Sequence, residues 1–270
     1  MDLGKQNILF FTRTMMLGGT ENVVLQLCEV FKPKVNKIVV CSCGGVNVEK
    51  LTEMGIRHYQ IPDISSKKDI FKICRTVKQI VEKEQITVIH SHHRMAAFYT
   101  EILFGSSIIK IANAHNTFFD KKLLTKFVYK HTKVIAVGEM VKKNLVDYFK
   151  IPEKQVSVIH NAVKPFDGNY LEDKYIRKLH DDGNFVVGNI GRLSEQKGME
   201  YFIESIPKIL KKYPRTRFVI AGNGEDEQKL FNLVKKLGIE ECIKFLGYRK
   251  DVQNLMSQLD LIVLSSLWEG

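Results

Sequence analysis

The densest chemistry in this sequence lies in Gly191-Arg192-Leu193-Ser194-Glu195-Gln196-Lys197-Gly198. The stretch follows an apolar, strand-like run and opens a helical one. Arg192 and Lys197 bracket it and can reach one anion. Arginine offers a planar fork to phosphate oxygens, and lysine a point charge. The free backbone amides of a helix N-terminus add to both. Such a clamp holds a diphosphate, and in a transfer reaction it stabilises the diphosphate as its charge develops. The plainer reading is a surface arginine and lysine around a turn.

Gly18-Gly19-Thr20-Glu21 follows the first strand-like run and also opens a helix. Paired glycines let a backbone approach a ligand. Thr20 can cap the helix, whose amides attract an anion. Gly222-Asn223-Gly224-Glu225 repeats the pattern after a later strand. Tyr248, in Phe245-Leu246-Gly247-Tyr248, sits where a base or ribose could pack. Turn geometry and a core edge are the plainer readings of these segments.

His90, His92 and His93 end one strand, and His115 ends another. An imidazole there can hydrogen-bond a sugar hydroxyl or exchange a proton near neutral pH. A structural role is preferred for His90 and His93. His115, set among Asn113, Asn116 and Thr117, is the functional candidate. Strand alternation puts His90 and His92 on one face, but no carboxylate is close in sequence, so no metal site is expected.

Residues 121–130 are basic and amphipathic. Lys122, Lys126 and Lys130 recur every four residues, with Leu123, Leu124, Phe127 and Val128 on the adjoining face. A basic helix of this kind can lie on anionic lipid. A packed helix with a solvated lysine face is the plainer alternative.

The elements that must position these residues alternate regularly. Strands are expected at 7–12, 37–42, 58–61, 88–91, 108–114, 133–137 and 156–160. Helical spacing fills the intervals at 21–31 and 68–84, the second with Ile70, Phe71, Ile73, Cys74, Val77, Ile80 and Val81. Runs such as Ile8-Leu9-Phe10-Phe11 are continuously apolar, as parallel strands covered on both faces require. The repetition predicts an α/β fold of doubly wound parallel sheets. Residues 164–169 are turn chemistry and 170–183 are polar, which suggests a linker over 166–183. The alternation then restarts, with strands at 185–190, 217–221, 243–246 and 259–265 and helices at 198–213, 225–237 and 252–257. Two Rossmann-like domains are thus expected, 1–165 and a partial one at 184–270. Ligands of open α/β sheets bind beyond the carboxyl ends of the strands. Two such units facing one cleft would suit group transfer between a donor and an acceptor.

Composition narrows the partners. With 41 Lys and Arg against 30 Asp and Glu, the net charge is +11, which favours anionic partners. No finger, ribonucleoprotein motif or other nucleic-acid signature is present, so a nucleic-acid partner is not expected. Five scattered cysteines make a poor disulfide framework. No long apolar run appears, and the N-terminus lacks a signal core. A cytoplasmic protein is expected, with peripheral contact at the inner face of a membrane as an open alternative.

Taken together, these motifs resemble glycosyltransferase family 4, the retaining enzymes of the GT-B fold. The resemblance runs through nearly the whole chain. It is carried by Gly18-Gly19-Thr20-Glu21, by the strand 88–92 ending in His-x-His, by His115, and by Val158-Ile159-His160-Asn161-Ala162-Val163. Gly191-Arg192-Leu193 with Lys197-Gly198, Gly222-Asn223-Gly224-Glu225 and the segment 265–270 continue it. The last is similar to the start of a Glu-x7-Glu motif, with Glu269 as its first glutamate. Ala162 stands where the family usually has glycine. The resemblance implies transfer of a sugar from a nucleotide-diphosphate sugar, with retained configuration and no metal or other cofactor. It implies that Arg192 and Lys197 hold the diphosphate, that Glu269 and His115 contact the sugar, and that Gly18 and Gly19 lie against phosphates or acceptor. A saccharide or lipid-linked acceptor is the implied partner. The motif's second glutamate falls beyond Gly270, so the second domain is expected to be incomplete and the 270-residue chain weakly active or inactive. A nucleotide- or surface-binding fragment and a sugar-nucleotide epimerase of the same architecture are the competing readings. A nicotinamide-dependent dehydrogenase is disfavoured, because the first turn lacks Gly-x-Gly-x-x-Gly.

Overall fold

In the first unit, seven short runs become seven parallel strands: β1 (Asn7–Phe11), β2 (Lys37–Ser42), β3 (Arg57–Gln60), β4 (Val88–Ser91), β5 (Ile109–Ala114), β6 (Lys133–Ala136) and β7 (Val156–Val158). The computed structural model describes residues 2–163, 165, 166, 168 and 170–269. It divides into two units, Met1–Ala162 and Val163–Glu269. The first sheet has the order β3-β2-β1-β4-β5-β6-β7. Phe10 therefore pairs with Val40 on one side and His90 on the other. The order reverses between β1 and β4, which makes the ends of those two strands the switch point where open sheets bind ligands.

The continuous apolar run of β1 is explained by its two covered faces. Leu9 and Phe11 pack with Ile73, Val77 and Ile80 of α3 (Ile70–Glu84) and with Tyr99 of α4 (Arg94–Leu103). Ile8 and Phe10 pack on the other face with Val24, Leu25 and Cys28 of α1 (Gly19–Phe31) and Leu51 of α2 (Val48–Glu53). A second cluster under β5 and β6 takes in α5 (Lys122–Val128), α6 (Glu139–Lys143) and the π-helical turn Asn144–Tyr148.

The second unit has four parallel strands in the order β10-β9-β8-β11, built from β8 (Phe185–Ile190), β9 (Thr216–Ala221), β10 (Ile243–Gly247) and β11 (Leu261–Ile262). Its switch point lies at β8, between β9 and β11. Val187, Phe218 and Ile220 face α8 (Met199–Lys212) and α9 (Glu227–Leu237). Val186, Val219 and Ala221 face the other way, towards Ile176 and Leu179 of α7 (Lys174–Asp181) and Leu255 of α10 (Val252–Met256).

Two expectations change. Within 166–183, read as a linker, residues 174–181 form α7. Asp173 caps it, accepting from the amides of Tyr175 at 3.0 Å and Ile176 at 3.3 Å. Ile176 and Leu179, with Tyr175 partly buried beside them, dock it on the sheet, and Arg249 holds Asp173 at 2.6 Å. The strand expected over 259–265 is only two residues long, and among the described residues it pairs with β8 alone. Its own Leu261 and Ile262, and Leu264 after them, are exposed, and an apolar groove of about 950 Å³ runs between α8 and β11, lined by Val187, Phe202, Ile209 and Val263.

Glu84 clamps the amino ends of the first unit's strands, away from the switch point. Its buried carboxylate accepts from Tyr59 Oη at 2.5 Å, Lys37 Nζ at 2.9 Å and Arg57 Nη1 at 2.8 Å. The Tyr59 bond, then burial acting against it, then the Lys37 and Arg57 bonds set its pKa, with the net result lowered to about 2. A depressed carboxylate stabilises the fold above its unfolded pKa, near 4.5, and loses that contribution as pH falls towards 2. Glu84→Gln should cost about 3 kcal/mol at pH 7. Urea unfolding followed by circular dichroism should show the difference from wild type shrinking below pH 4.5.

Candidate functional site

At the carboxyl end of the second sheet, three loops are laced together through their backbones. Gly191 N donates to Ala221 O at 2.9 Å, Leu193 N to Asn223 O at 2.9 Å and Gly222 N to Gly247 O at 2.8 Å. The approach depends on Gly222, which has φ +142°, where a Cβ would fall on the Gly191 carbonyl oxygen. Gly224 lies against the Leu193 backbone in the same way. Glycine at both positions is thus required by packing, before any ligand is considered.

The segment after β11 closes on the same loop. Ser265 Oγ accepts from Asn189 Nδ2 at 2.9 Å and donates to Lys197 O at 3.0 Å. Leu267 N donates to Gln196 O at 2.8 Å, and Gln196 Nε2 to Trp268 O at 3.1 Å. Lys197 Nζ and Glu269 Oε1 meet at 2.5 Å. Partial burial pushes the Glu269 carboxyl up, but the bonds from Lys197 and Ser266 outweigh it and the net shift is down. The pair is part-exposed, at 30% and 51%, so it holds the side chains only weakly and leaves Lys197 able to turn to another anion. Arg192, in the same loop, stands exposed, and no carboxylate engages it among the described residues. Tyr248 follows the Gly247 turn and is also exposed. Arg192, Lys197, Gly222, Gly224, Tyr248 and Glu269 therefore all lie beyond the carboxyl ends of β8 to β11.

The first unit repeats this placement. Gly18 precedes α1 and Gly19 begins it. Gly18 is extended, with φ −176°, and a side chain there would meet only the carboxylate of Glu21. Nothing lies within 4 Å of a Cβ at Gly19. Neither glycine is demanded by the chain's own packing, in contrast to Gly222.

The histidines gather at the ends of β4 and β5. His90 Nε2 and Asn113 Oδ1 are 2.7 Å apart. His93 caps α4, its Nδ1 accepting from Met95 N at 3.1 Å. His92 Nδ1 lies 3.2 Å from His115 Nε2. Burial, reinforced by nearby His90, pushes His115 down to about 4. Burial likewise holds His90 at about 4, against the Asn113 bond. Of the two roles open to His115, proton exchange near neutral pH is thereby disfavoured, and hydrogen bonding as a neutral ring remains. Among the described residues, no group of three or more His, Cys, Asp or Glu side chains is arranged to hold a metal ion.

Sequence reasoning assigned no role of its own to His92 and passed over Asn189. His92 matters only through the β4–β5 pairing that brings it to His115. Asn189 did carry a signal, as a polar residue inside the apolar run of β8, where it is 2% exposed.

Comparison with known proteins agrees with this architecture. Residues 17–165 match the model described as Glycosyltransferase Family 4, and residues 172–270 the model described as Glycosyl transferases group 1. An uncharacterised glycosyltransferase of Methanocaldococcus jannaschii is 32% identical over 154 residues, 55% of this chain and 37% of that protein. One component of human phosphatidylinositol N-acetylglucosaminyltransferase is 27% identical over 275 residues, 94% of this chain and 55% of its own length. The Escherichia coli UDP-Gal:alpha-D-GlcNAc-diphosphoundecaprenol alpha-1,3-galactosyltransferase is 26% identical, over 94% of this chain and 72% of its own. The chain thus spans only part of these relatives. Among solved structures, Anabaena HepE in complex with UDP and glucose superposes with a TM-score of 0.79 at 20% identity, covering 97% of this chain and 74% of that one. A Rickettsia africae glycosyltransferase gives 0.78 at 18% identity, covering 97% and 73%. These likenesses show the fold, GT-B.

A neutral His115 has a direct check. Its imidazole C–H proton signal should stay constant from pH 8 to pH 5 and move only near pH 4. A transition near the ordinary value of 6.5 would contradict the burial found here.

Proposed function

Because this chain belongs to Glycosyltransferase Family 4, we propose that it transfers a sugar from a nucleoside-diphosphate sugar to a saccharide or lipid-linked acceptor, with retention of configuration. The observation that carries this reading is the 191–198 loop at the start of α8. It sets an exposed arginine, a loosely paired lysine and a helix N-terminus at the switch point of a parallel sheet. That is the environment a leaving diphosphate requires. In this reading Arg192 and Lys197 bind the diphosphate, and Lys197 exchanges Glu269 for phosphate. Glu269, once released, bonds to donor-sugar hydroxyls. The glycines at 222 and 224 keep the loops low enough for the nucleotide, with Tyr248 beside its base or ribose. His115 bonds to the sugar as a neutral ring, and the open surface at Gly18 and Gly19 receives phosphate or acceptor. Side-chain cations and helix amides, rather than a metal, offset the leaving charge. Retention rests on the family resemblance.

The acceptor reading draws on the E. coli relative, whose name gives a diphosphoundecaprenol-linked substrate. It also draws on α5. No helix among the described residues is long and apolar enough to cross a membrane. Phe119, Leu123 and Phe127 nevertheless stand exposed at 73%, 84% and 46%, four residues apart, beside the Lys122–Lys126–Lys130 stripe. Their platform is braced. Asn144 bonds both the N–H of Phe118 at 3.1 Å and its C=O at 2.9 Å, and Tyr148 Oη donates to Phe119 O at 2.6 Å. Apolar residues held out in solvent beside lysines suit peripheral contact with an anionic lipid surface, on the cytoplasmic side of a membrane.

Two experiments test the proposal. The protein purified from its own source is given UDP-linked sugars with and without a polyprenyl-diphosphate-linked saccharide. Product should form only with acceptor, should survive EDTA, and should fall about 100-fold in Arg192→Ala. Nucleotide binding without turnover, or altered sugar released without acceptor, would overturn transfer in favour of a binding protein or an epimerase. Separately, sedimentation with phosphatidylglycerol vesicles should exceed that with phosphatidylcholine, and Leu123→Glu should weaken it roughly tenfold. Equal sedimentation with both lipids would remove the membrane contact.

A further inference from the structure

The proposed function leaves His92 unused, although it is the most enclosed of the histidines. It lies just beyond β4, 3% exposed, with its N–H bonded to Phe11 O at 2.8 Å. Its ring stands 4.4 Å from that of His90, 5.8 Å from Phe10 and 5.4 Å from His115, centroid to centroid. Its Nδ1 faces His115 Nε2 at 3.2 Å. Its Nε2 is the one buried side-chain polar atom without a hydrogen-bond partner among the described residues.

Two neutral histidines joined nitrogen to nitrogen place one proton between them, and two arrangements can do so. In the first, His115 Nε2–H donates to His92 Nδ1. His92 then carries its own proton on Nε2, where a buried N–H meets no acceptor. In the second, His92 Nδ1–H donates to His115 Nε2, and the orphaned His92 Nε2 is only a lone pair. A buried, unsatisfied donor costs about 1–3 kcal/mol, and orphaned N–H groups are rarer than under-satisfied acceptors. The second arrangement is therefore favoured. Charging either ring is no escape, because burial lowers the pKa of both. His115 must then carry its proton on Nδ1, which no group bonds among the described residues.

We propose that His92 is a positioning residue that fixes His115 as the Nδ1–H tautomer, so that His115 presents a hydrogen-bond donor to an oxygen of the bound sugar. The bonding made by one imidazole nitrogen decides what the other offers. His115 thus recognises a lone pair, as on a hydroxyl or ring oxygen, and does not take a proton from the acceptor. Only the identity of the ligand as a sugar rests on the transferase reading.

The tautomer is read from two-bond ¹H–¹⁵N correlations in ¹⁵N-histidine-labelled protein at pH 7, with His115→Gln identifying the signal. His115 should show a protonated Nδ1 and a bare Nε2. His92→Asn keeps a donor at the Nδ1 position and should preserve that spectrum and the kcat/KM for sugar transfer. His92→Phe keeps the ring volume without the donor. It should give a mixture of His115 tautomers and a roughly tenfold lower kcat/KM. A wild-type His115 protonated on Nε2 overturns the proposal even in an active transferase. So does a His92→Phe spectrum identical to wild type. Because the tautomer is measured without substrate, a chain that transfers nothing but shows Nδ1–H would sink the transferase reading alone.

Discussion

Backbone meets backbone at the carboxyl end of the second sheet, and the candidate donor site depends on that contact. Gly222 sits directly under the Gly191 carbonyl oxygen. Any side chain at Gly222 would push the loop after β8 away from the loop after β9, and with it Arg192, Lys197 and the start of α8. The same device recurs in the first unit, where Gly45, with φ +146°, lies against the backbone of Met15. There the loop after β1 is laced to the loop after β2 by bonds from Met15 N to Gly44 O and from Cys43 N to Arg13 O. Both sheets also reverse strand order beside their first strand. A parallel sheet with close-packed loops is the scaffold, and the side chains that carry charge are late additions to it.

The charges are arranged to be released. Glu84 is gripped by three donors at the far end of the first sheet, where nothing needs to move. Lys197 and Glu269 form a single, part-exposed pair of the kind worth at most about 1 kcal/mol. A diphosphate offers Lys197 more charge than one carboxylate, so the exchange favours the ligand. On the first unit the chemistry is opposite. Three histidine rings crowd together, His90 and His92 buried and His115 half-buried, without a carboxylate among them, which keeps them neutral and suits them to directional bonding rather than proton transfer.

Much of this was legible in the sequence, for identifiable reasons. Parallel strands buried on both faces read as unbroken apolar runs, so Ile8 to Phe11 stood out. Glycine and cation pairs following such runs marked the loops. Helix α7 was not legible, because Tyr175, Ile176 and Leu179 are few apolar residues in a charged stretch and depend on a sheet formed later in the chain. The short β11 was over-read, because the apolar run 261–264 continues past the residues that find a partner strand. The role of His92 escaped notice for a different reason. It comes from contact with His115, 23 residues away on the neighbouring strand, and from an unpartnered nitrogen that no sequence pattern reports. The pairing of Lys197 with Glu269, 72 residues apart, was likewise beyond local patterns.

The central claim is that the loops after β8, β9 and β10, with the segment after β11, form one nucleoside-diphosphate site. The measurement that tests it most directly is an amide chemical-shift map of the protein titrated with UDP. The account predicts saturable shifts concentrated at residues 191–198, 222–225, 247–248 and 265–269. Shifts confined to other surfaces, or none at millimolar UDP, would contradict it.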